Sequence, residues 1–314
     1  MLYKTLGRTG LKVSRLGLGT AEIGFAYGIG ERTLPSGIEA IRLLHYAVDE
    51  GITYFDTAYF YGLAEERIGK SGILHNCDVI VATKCGKFLE EGEDPRGKEL
   101  ENRLREHVEA SLKRLRVNCL PLLMLHGGSK EQLERGELIA IFKKFQREGK
   151  AKFLGISTRG EEATSAAIQS GAFEVIQVAY SILDQRMAKE VLPLAMEKNI
   201  GVINRSVFLK GVLTSLYKKL PDQLFQLKVQ SRTAEGVAQY LKMDLPTLAL
   251  RFVLSNETIS TSLVGTNNPA NLQKAVEAAE AGPLEKGIVL GLEDLLGIDD
   301  PSQVDPIRWP PVAG

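Results

Sequence analysis

Short apolar runs rich in β-branched residues alternate with amphipathic helical segments along most of the chain. This alternation is typical of a parallel sheet whose strands are covered by helices. The predicted core strands begin at Arg15 and continue over 52–56, 78–84, 121–126, 152–157, 174–179, 200–205 and 261–264. Eight strand–helix units over about 280 residues favour closure into a (β/α)8 TIM barrel. Residues 1–314 are therefore predicted to form a single barrel domain.

Helices are predicted between these strands wherever apolar residues recur with a helical period. Ser36 and Glu39 form a capping-box pattern before the first helix, and a second helix begins near Leu63. The other predicted helices cover 100–115, 138–149, 161–169, 187–198, 245–254 and 269–281. The segment 206–233 is interpreted as a loop.

An open doubly wound sheet that binds a dinucleotide is the alternative fold. Gly17-Leu18-Gly19 is followed by Thr20-Ala21-Glu22, so the third glycine of the fingerprint is missing and a loop follows. Gly28-Ile29-Gly30 follows no predicted strand. Because the fingerprint requires a strand, a glycine-rich turn and a helix in succession, the closed barrel is favoured.

The two ends of the chain lie outside the repeating pattern. Residues 2–13 predict a β-hairpin that turns over 7–10 and covers one end of the barrel. The segment 282–314 is predicted to form a tail near the barrel mouth.

Composition excludes several classes of function. The 39 basic and 39 acidic residues balance, which removes any electrostatic case for nucleic acid or an anionic membrane surface. No apolar run suggests a membrane span, and the first residues lack the apolar core of a signal peptide. Cys77, Cys85 and Cys119 lack paired spacing, which predicts buried free thiols in a reducing cytoplasm. The four histidines lack metal-ligand spacing, so no metal site is predicted.

Four chemically active side chains lie at or just after the ends of three consecutive predicted strands. Asp56, Lys84 and His126 end these strands, and Tyr61 follows the first of them. The C-terminal ends of barrel strands share one face, so these side chains should converge. Each also has a purely structural interpretation, because Asp56 and Lys84 could form only a buried ion pair. A core histidine could likewise be only hydrogen-bonded, but four such residues at one mouth favour catalysis.

The four residues have complementary chemistry. A phenol with an ordinary pKa of about 10 is a poor proton donor at neutral pH, and a nearby ammonium favours its phenolate. Asp56 can hold the Lys84 ammonium charged and in place. His126 can donate a hydrogen bond to a carbonyl oxygen while Tyr61 acts on that oxygen as general acid. Since no side chain donates the hydride that carbon must receive, a nicotinamide cofactor is implied.

The stretches that contain these residues resemble the aldo-keto reductase family. They are Gly51-Ile-Thr-Tyr-Phe-Asp-Thr-Ala-x-x-Tyr-Gly62, Ala82-Thr83-Lys84, Leu122-Leu-Met-Leu-His126, Gly155-Ile-Ser157, Ile176-Gln177, Gly265-Thr-Asn-Asn-Pro269 and the opening Leu6-Gly-Arg-Thr-Gly-Leu-Lys-Val-Ser14. The resemblance extends over residues 1–281. It implies an NAD(P)(H)-dependent enzyme that interconverts aldehydes or ketones and alcohols. The implied catalytic tetrad is Asp56, Tyr61, Lys84 and His126.

The resemblance also implies an extended NADP(H), with NAD(H) possible, across the barrel mouth. The matching positions are Ser157 and Gln177 at the carboxamide, Arg205 beneath the nicotinamide, Ser206 and Lys210 at the pyrophosphate, and Gly265, Thr266, Asn267 and Asn271 around the adenosine ribose and any 2′-phosphate. The loops 19–35, 86–97 and 206–233 and the tail are expected to shape the substrate pocket.

Three departures from the family pattern affect cofactor binding. Many members have Asn where this chain has Thr158, and an aromatic residue where it has Arg205. A guanidinium can stack on a ring, but it adds a charge. Arginine is also common around the 2′-phosphate, and the sequence has none between Gly265 and Ala281. The choice between NADP(H) and NAD(H) is therefore open.

Two other classes of function remain. One is a non-catalytic subunit that senses nicotinamide nucleotides on the same barrel, and the other, less favoured, is a metal-dependent barrel hydrolase. The partner expected for the enzyme is a small-molecule carbonyl or alcohol. The sequence identifies neither that substrate nor the oligomeric state.

Overall fold

An antiparallel hairpin opens the chain in the computed structural model, which describes residues 1–28 and 33–310. Its strands are β1 (Tyr3–Thr5) and β2 (Lys12–Ser14). Leu6 and Val13 are fully buried and pack against side chains that fill the barrel. A side chain at Gly7 would overlap the backbone at Gly201, where a barrel strand begins. The predicted hairpin is confirmed, and it closes the N-terminal end of the barrel.

Eight parallel strands then form a closed barrel. They are β3 (Leu16–Gly19), β4 (Tyr54–Asp56), β5 (Ile80–Cys85), β6 (Leu120–His126), β7 (Ala151–Ser157), β8 (Val175–Ala179), β9 (Gly201–Arg205) and β10 (Ile259–Gly265). Consecutive strands pair in chain order, and β10 pairs with both β9 and β3. The predicted (β/α)8 TIM barrel is confirmed.

Side chains along most barrel strands alternate between two buried clusters. The smaller cluster fills the barrel interior and includes Tyr54, Leu122 and Met124. The larger cluster lies between strands and helices and includes Phe55 and Leu123. Because both faces are covered, every position of β5 is buried, which explains its continuous apolar sequence.

Helices surround the barrel and extend into the tail. They are α1 (Gly37–Asp49), α2 (Ala64–Ser71), α3 (Gly97–Leu115), α4 (Lys130–Glu134), α5 (Glu137–Arg147), α6 (Glu161–Gln169), α7 (Val191–Glu197), α8 (Phe225–Tyr240), α9 (Leu245–Leu254), α10 (Pro269–Glu280), α11 (Lys286–Leu295) and α12 (Pro301–Val304). The predicted capping box begins α1, where Ser36 N donates to Glu39 at 2.8 Å and Glu39 N donates to Ser36 Oγ at 3.3 Å. Within the described residues, no helix combines the length and the apolar character needed to cross a membrane.

Two predictions for the second half of the barrel are wrong. Residues 187–198 do not form one helix, because a 3₁₀ turn (Arg186–Ala188) precedes α7. Pro193 accounts for this start, since proline is tolerated only in the first turn of a helix. The predicted loop 206–233 ends in α8, whose buried positions are mostly small or polar, such as Ser231 and Ala234. Its apolar period is therefore too weak to be recognised in the sequence.

The cysteines differ in part from the prediction. All three are free thiols, and Cys85 is buried within β5 as expected. The expectation of burial is wrong for Cys77 and Cys119, which are exposed. Both lie in exposed turns just before barrel strands, Cys77 before β5 and Cys119 before β6.

Candidate active site

The C-terminal ends of the barrel strands surround a cavity of about 1010 Å³. Asp56, Tyr61 and His126 line it. Lys84 is fully buried beneath them and contacts Asp56. The structure therefore brings together the four residues that the sequence predicts to converge.

Asp56 and Lys84 form a buried ion pair in which Lys84 Nζ donates to Asp56 Oδ1, with side chains 4% and 0% exposed. Lys84 Nζ also donates to the Thr57 carbonyl at 3.0 Å. Burial alone would lower the pKa of Lys84, but the Asp56 carboxylate and the Tyr61 hydroxyl together raise it above its ordinary value. The ammonium therefore stays charged at neutral pH.

The Tyr61 ring lies beside this ammonium. Lys84 Nζ is 4.9 Å from the ring centroid, and His126 meets the same ring edge-on with centroids 6.1 Å apart. A turn fixes the backbone, because Tyr61 N donates to the Ala58 carbonyl and Ala64 N donates to the Tyr61 carbonyl, each at 2.9 Å. The phenol is therefore held between a cation and an imidazole.

His126 is a neutral imidazole. Burial lowers its pKa well below the ordinary value, and the nearby cations, of which Lys84 has the largest effect, lower it further. Its Nδ1 has no hydrogen-bond partner within the described residues. A neutral imidazole has one N–H donor and one acceptor nitrogen. The buried Nδ1 is therefore an unsatisfied polar atom of a side chain that also lines the cavity.

Ser157 is the last residue of β7, Gln177 lies in the middle of β8, and both connect to the ion pair. Ser157 Oγ donates to Gln177 Oε1 at 3.0 Å, and Gln177 Nε2 donates to Asp56 Oδ2 at 2.7 Å. Both carboxylate oxygens of Asp56 are therefore engaged. The sequence predicts both residues at the site but gives no signal for this connection.

Arg205 ends β9, Ser206 and Lys210 follow it, and all three line the cavity. Arg205 donates to the Thr158 carbonyl at 3.0 Å and to Ser206 Oγ at 3.3 Å. The φ angles of Ser206 and Lys210 are 65° and 55°, in the left-handed region that side chains disfavour. Such strained backbone concentrates at functional sites. Burial, then repulsion from Arg159, lowers the pKa of Lys210.

The sequence analysis missed three charged residues that line the cavity, Lys87, Glu90 and Arg159, and also Asp305, which pairs with one of them. Arg159 pairs with Glu90 and, at 2.6 Å, with Asp305, while Lys87 pairs with Glu90. Lys87 and Arg159 closely follow β5 and β7, so their position after strand ends is a usable signal. Asp305 has no such signal. Ile307 lines the cavity just beyond it, which confirms that the tail reaches the barrel mouth.

The far end of the cavity is formed by β10 and α10. The residues there that match the predicted ribose pocket are Gly265, Thr266, Asn267 and Asn271. Asn267 Nδ2 donates to the Thr33 carbonyl at 3.1 Å, so this end contacts the loop before α1. Lys274 also lines the cavity and is the one basic residue of the segment 265–281. The other β10 and α10 residues that line the cavity are uncharged, some polar and some apolar, such as Leu263 and Ala278.

The cavity offers hydrogen-bond donors and cations that suit an extended anionic nucleotide. Its lining includes the amide of Gln177, the hydroxyl of Ser157 and the cations Arg205 and Lys210, and α10 begins two residues after the lining residue Asn267. Backbone N–H groups at a helix N-terminus favour anions. Residues 1–28 and 33–310 contain no group of three or more His, Cys, Asp or Glu side chains that could hold a metal ion.

The sequence was compared with protein-family models and with known proteins. A family model described as "Aldo/keto reductase family" matches residues 15–290. L-galactose dehydrogenase of Arabidopsis thaliana is 31% identical over 294 residues, which are 88% of this chain and 87% of the relative. D-threo-aldose 1-dehydrogenase of a Pseudomonas species is 30% identical over 305 residues, covering 86% and 90%.

A third relative and a solved structure agree with these matches. The NADH-specific methylglyoxal reductase of Escherichia coli K12 is 29% identical over 302 residues, covering 87% of this chain and 92% of the relative. The holo form of an aldo-keto reductase from Bacillus halodurans superposes with a TM-score of 0.79 at 27% identity. That match covers 98% of this chain and 100% of the other.

Proposed function

Since the chain belongs to the aldo/keto reductase family, we propose that it is an NAD(P)(H)-dependent enzyme that interconverts aldehydes or ketones and alcohols. The observation that carries the proposal is the buried Asp56–Lys84 pair beside the Tyr61 ring, in a cavity that His126 also lines. The three relatives described above are named as two dehydrogenases and one reductase, which supports the same class of reaction.

Tyr61 acts as the general acid in carbonyl reduction. Its hydroxyl donates a proton to the carbonyl oxygen, and the resulting phenolate is stabilised by the Lys84 ammonium. His126 donates a hydrogen bond from its neutral ring to the same oxygen and orients the carbonyl. A nicotinamide cofactor, when bound, supplies the hydride. In alcohol oxidation the Tyr61 phenolate takes the proton back.

The proposed cofactor-binding roles follow the family resemblance of these positions. Ser157 and Gln177 would hold the carboxamide of the bound cofactor, and Arg205 would contact its nicotinamide ring. Ser206 and Lys210 bind the pyrophosphate. The residues proposed around the adenosine ribose are Gly265, Thr266, Asn267 and Asn271. All of these residues line the same cavity as Tyr61 and His126, which supports the assignment.

The remaining assignments are also proposals. Residues 1–314 act as one barrel domain, the enzyme works in the cytoplasm, and its partner is a small-molecule carbonyl or alcohol. A non-catalytic sensing subunit is not favoured. A sensor requires only nucleotide binding, whereas the Asp56–Lys84 pair and Tyr61 are arranged for proton transfer.

A substrate screen tests the enzymatic proposal. The purified protein is mixed with a panel of aldehydes, ketones and sugars, with NADPH and NADH side by side, and cofactor oxidation is followed by absorbance. We expect turnover with at least one carbonyl class. Tight cofactor binding without turnover of any carbonyl would instead support the sensing subunit.

We expect weak discrimination between the two cofactors. A 2′-phosphate carries nearly two negative charges and is usually met by arginine or lysine. Here Lys274 is the one basic side chain of the segment 265–281. NADPH should therefore be accepted, but with at most ~100-fold preference over NADH, or ~2.8 kcal/mol. The measurement is the ratio of kcat/KM for the two cofactors.

The variant Asn267→Arg should raise the NADPH preference by adding a charge-assisted pair at the phosphate. Asn267→Gln is the matched control, because it keeps the amide and adds no charge. A wild-type preference of many thousandfold for NADPH would show that other residues form the phosphate pocket.

A further inference from the structure

Glu65 is a buried carboxylate that has no part in the proposed chemistry. It lies in the first turn of α2 and is 1% exposed. Its Oε1 accepts a hydrogen bond from Thr83 Oγ1 at 2.6 Å, and its Oε2 accepts one from Arg114 Nη1 at 3.3 Å. Burying a carboxylate is costly even when it is paired, so this arrangement calls for an explanation.

Arg114 connects this carboxylate to the segment that carries Tyr61. The arginine lies near the end of α3, and its side chain is 35% exposed. Its Nη1 donates to the Tyr59 carbonyl at 3.2 Å, and its guanidinium carbon is 4.6 Å from the Tyr59 ring centroid. A second α3 residue, His107, stacks on the same ring with centroids 3.9 Å apart.

The two residues held by this pair are neighbours of the proposed catalytic groups. Thr83 directly precedes Lys84 in β5, and Tyr59 lies in the short turn before Tyr61. Tyr59 N also donates to the Lys84 carbonyl at 2.9 Å. Contacts of Glu65 and Arg114 therefore fix both backbone segments whose side chains must meet.

The helices that carry Glu65 and Arg114 are themselves in close contact. A side chain at Gly69 of α2 would overlap the Arg114 carbonyl of α3. Backbone-to-backbone packing of this kind leaves little room for α3 to shift against α2. Arg114 is consequently held at a defined distance from Tyr59.

We propose that Glu65 and Arg114 are positioning residues that set the separation of the Lys84 ammonium and the Tyr61 phenol. The proposal rests on the proposed function, because it assumes that these two groups act together. Neither positioning residue borders the cavity, so neither would touch substrate or cofactor. Displacements of about 1 Å at distant residues can slow an enzyme substantially, up to ~10²-fold.

The variant Arg114→Ala tests the proposal. The side chain is partly exposed, so we expect the protein to fold. The kcat for carbonyl reduction should fall about tenfold, while the Kd of the reduced cofactor, measured by fluorescence quenching, should stay unchanged. The basic limb of the pH–rate profile should move to higher pH, because the ammonium stabilises the phenolate less well from a displaced position. Arg114→Lys should restore part of the rate.

Arg105→Ala is the matched control on the same helix. Arg105 is 29% exposed, pairs with Glu101 at 2.9 Å and Glu148 at 2.6 Å, and lies 5.0 Å from the Phe145 ring. Removing the Arg105 side chain eliminates two ion pairs and a ring contact, and none of these contacts involves Tyr59. We expect its kcat and its basic limb to match the wild type.

Thr83 supplies an independent test from the other side of Glu65. Thr83→Val removes the hydroxyl and should lower kcat, whereas Thr83→Ser keeps it and should retain near-normal kcat.

An active wild type with unchanged kcat and pH profile in Arg114→Ala would overturn the positioning role alone. An equal kcat loss in Arg105→Ala would also overturn it. A wild type that reduces no carbonyl would overturn the proposed function as well.

Discussion

Replacing Tyr61 with phenylalanine is expected to slow carbonyl reduction by ~10²–10⁴-fold, the usual contribution of general acid catalysis. The change removes a single oxygen and keeps the ring that packs between Lys84 and His126. Cofactor affinity should remain, because the residues proposed to bind the nucleotide are untouched. The measurement is kcat with the best carbonyl from the screen, together with the Kd of the reduced cofactor.

Tyr27→Phe is the matched control for this prediction. Tyr27 is a second phenol that lines the same cavity. Burial, then the proximity of Tyr61, raises the pKa of Tyr27, so its hydroxyl is a weaker acid than an ordinary phenol. Its removal should leave kcat within a few-fold of the wild type. Near-normal turnover in Tyr61→Phe, or an equal loss in Tyr27→Phe, would contradict the assignment of Tyr61.

The barrel and the central residues of its site could be predicted from the sequence for one physical reason. Strands buried on both faces have continuous apolar runs, and their C-terminal ends must share one face. Asp56, Lys84 and His126 could therefore be predicted to converge without any knowledge of contacts. Errors arose where periodicity was weak, as in α8, or where an internal proline delayed a helix, as at Pro193.

The surroundings of the site could not be predicted in the same way. The pair between Arg159 and Asp305 joins residues 146 positions apart, and the hydrogen bond from Arg114 to Tyr59 joins residues 55 positions apart. Local patterns do not encode such pairings, because each charged partner alone resembles an ordinary surface charge and a backbone carbonyl leaves no trace in the sequence. A charged residue just after a strand end, such as Arg159, is the most useful hint that the sequence offers.

Lys84→Met is expected to lower both activity and stability. The variant leaves Asp56 buried with Gln177 as its remaining side-chain donor. Removing one partner of a buried ion pair typically costs ~3–5 kcal/mol in the free energy of unfolding. The pKa of Lys84 is raised in the folded protein, so its stabilising effect is fully present below the ordinary lysine pKa. That effect is lost only as the pH rises through the raised value, so urea unfolding at pH 7 should show the full difference.

The same variant should move the basic limb of the kcat/KM pH profile to higher pH. The change removes the positive charge 4.9 Å from the Tyr61 ring, and a nearby positive charge favours a phenolate. Lys87→Met is the control, because Lys87 also lines the cavity but pairs with Glu90. If Lys84→Met is too unstable to assay, adding Asp56→Asn removes the unpaired buried charge and should recover stability without recovering the rate. A lower rate with an unmoved basic limb would mean that Lys84 acts through geometry alone.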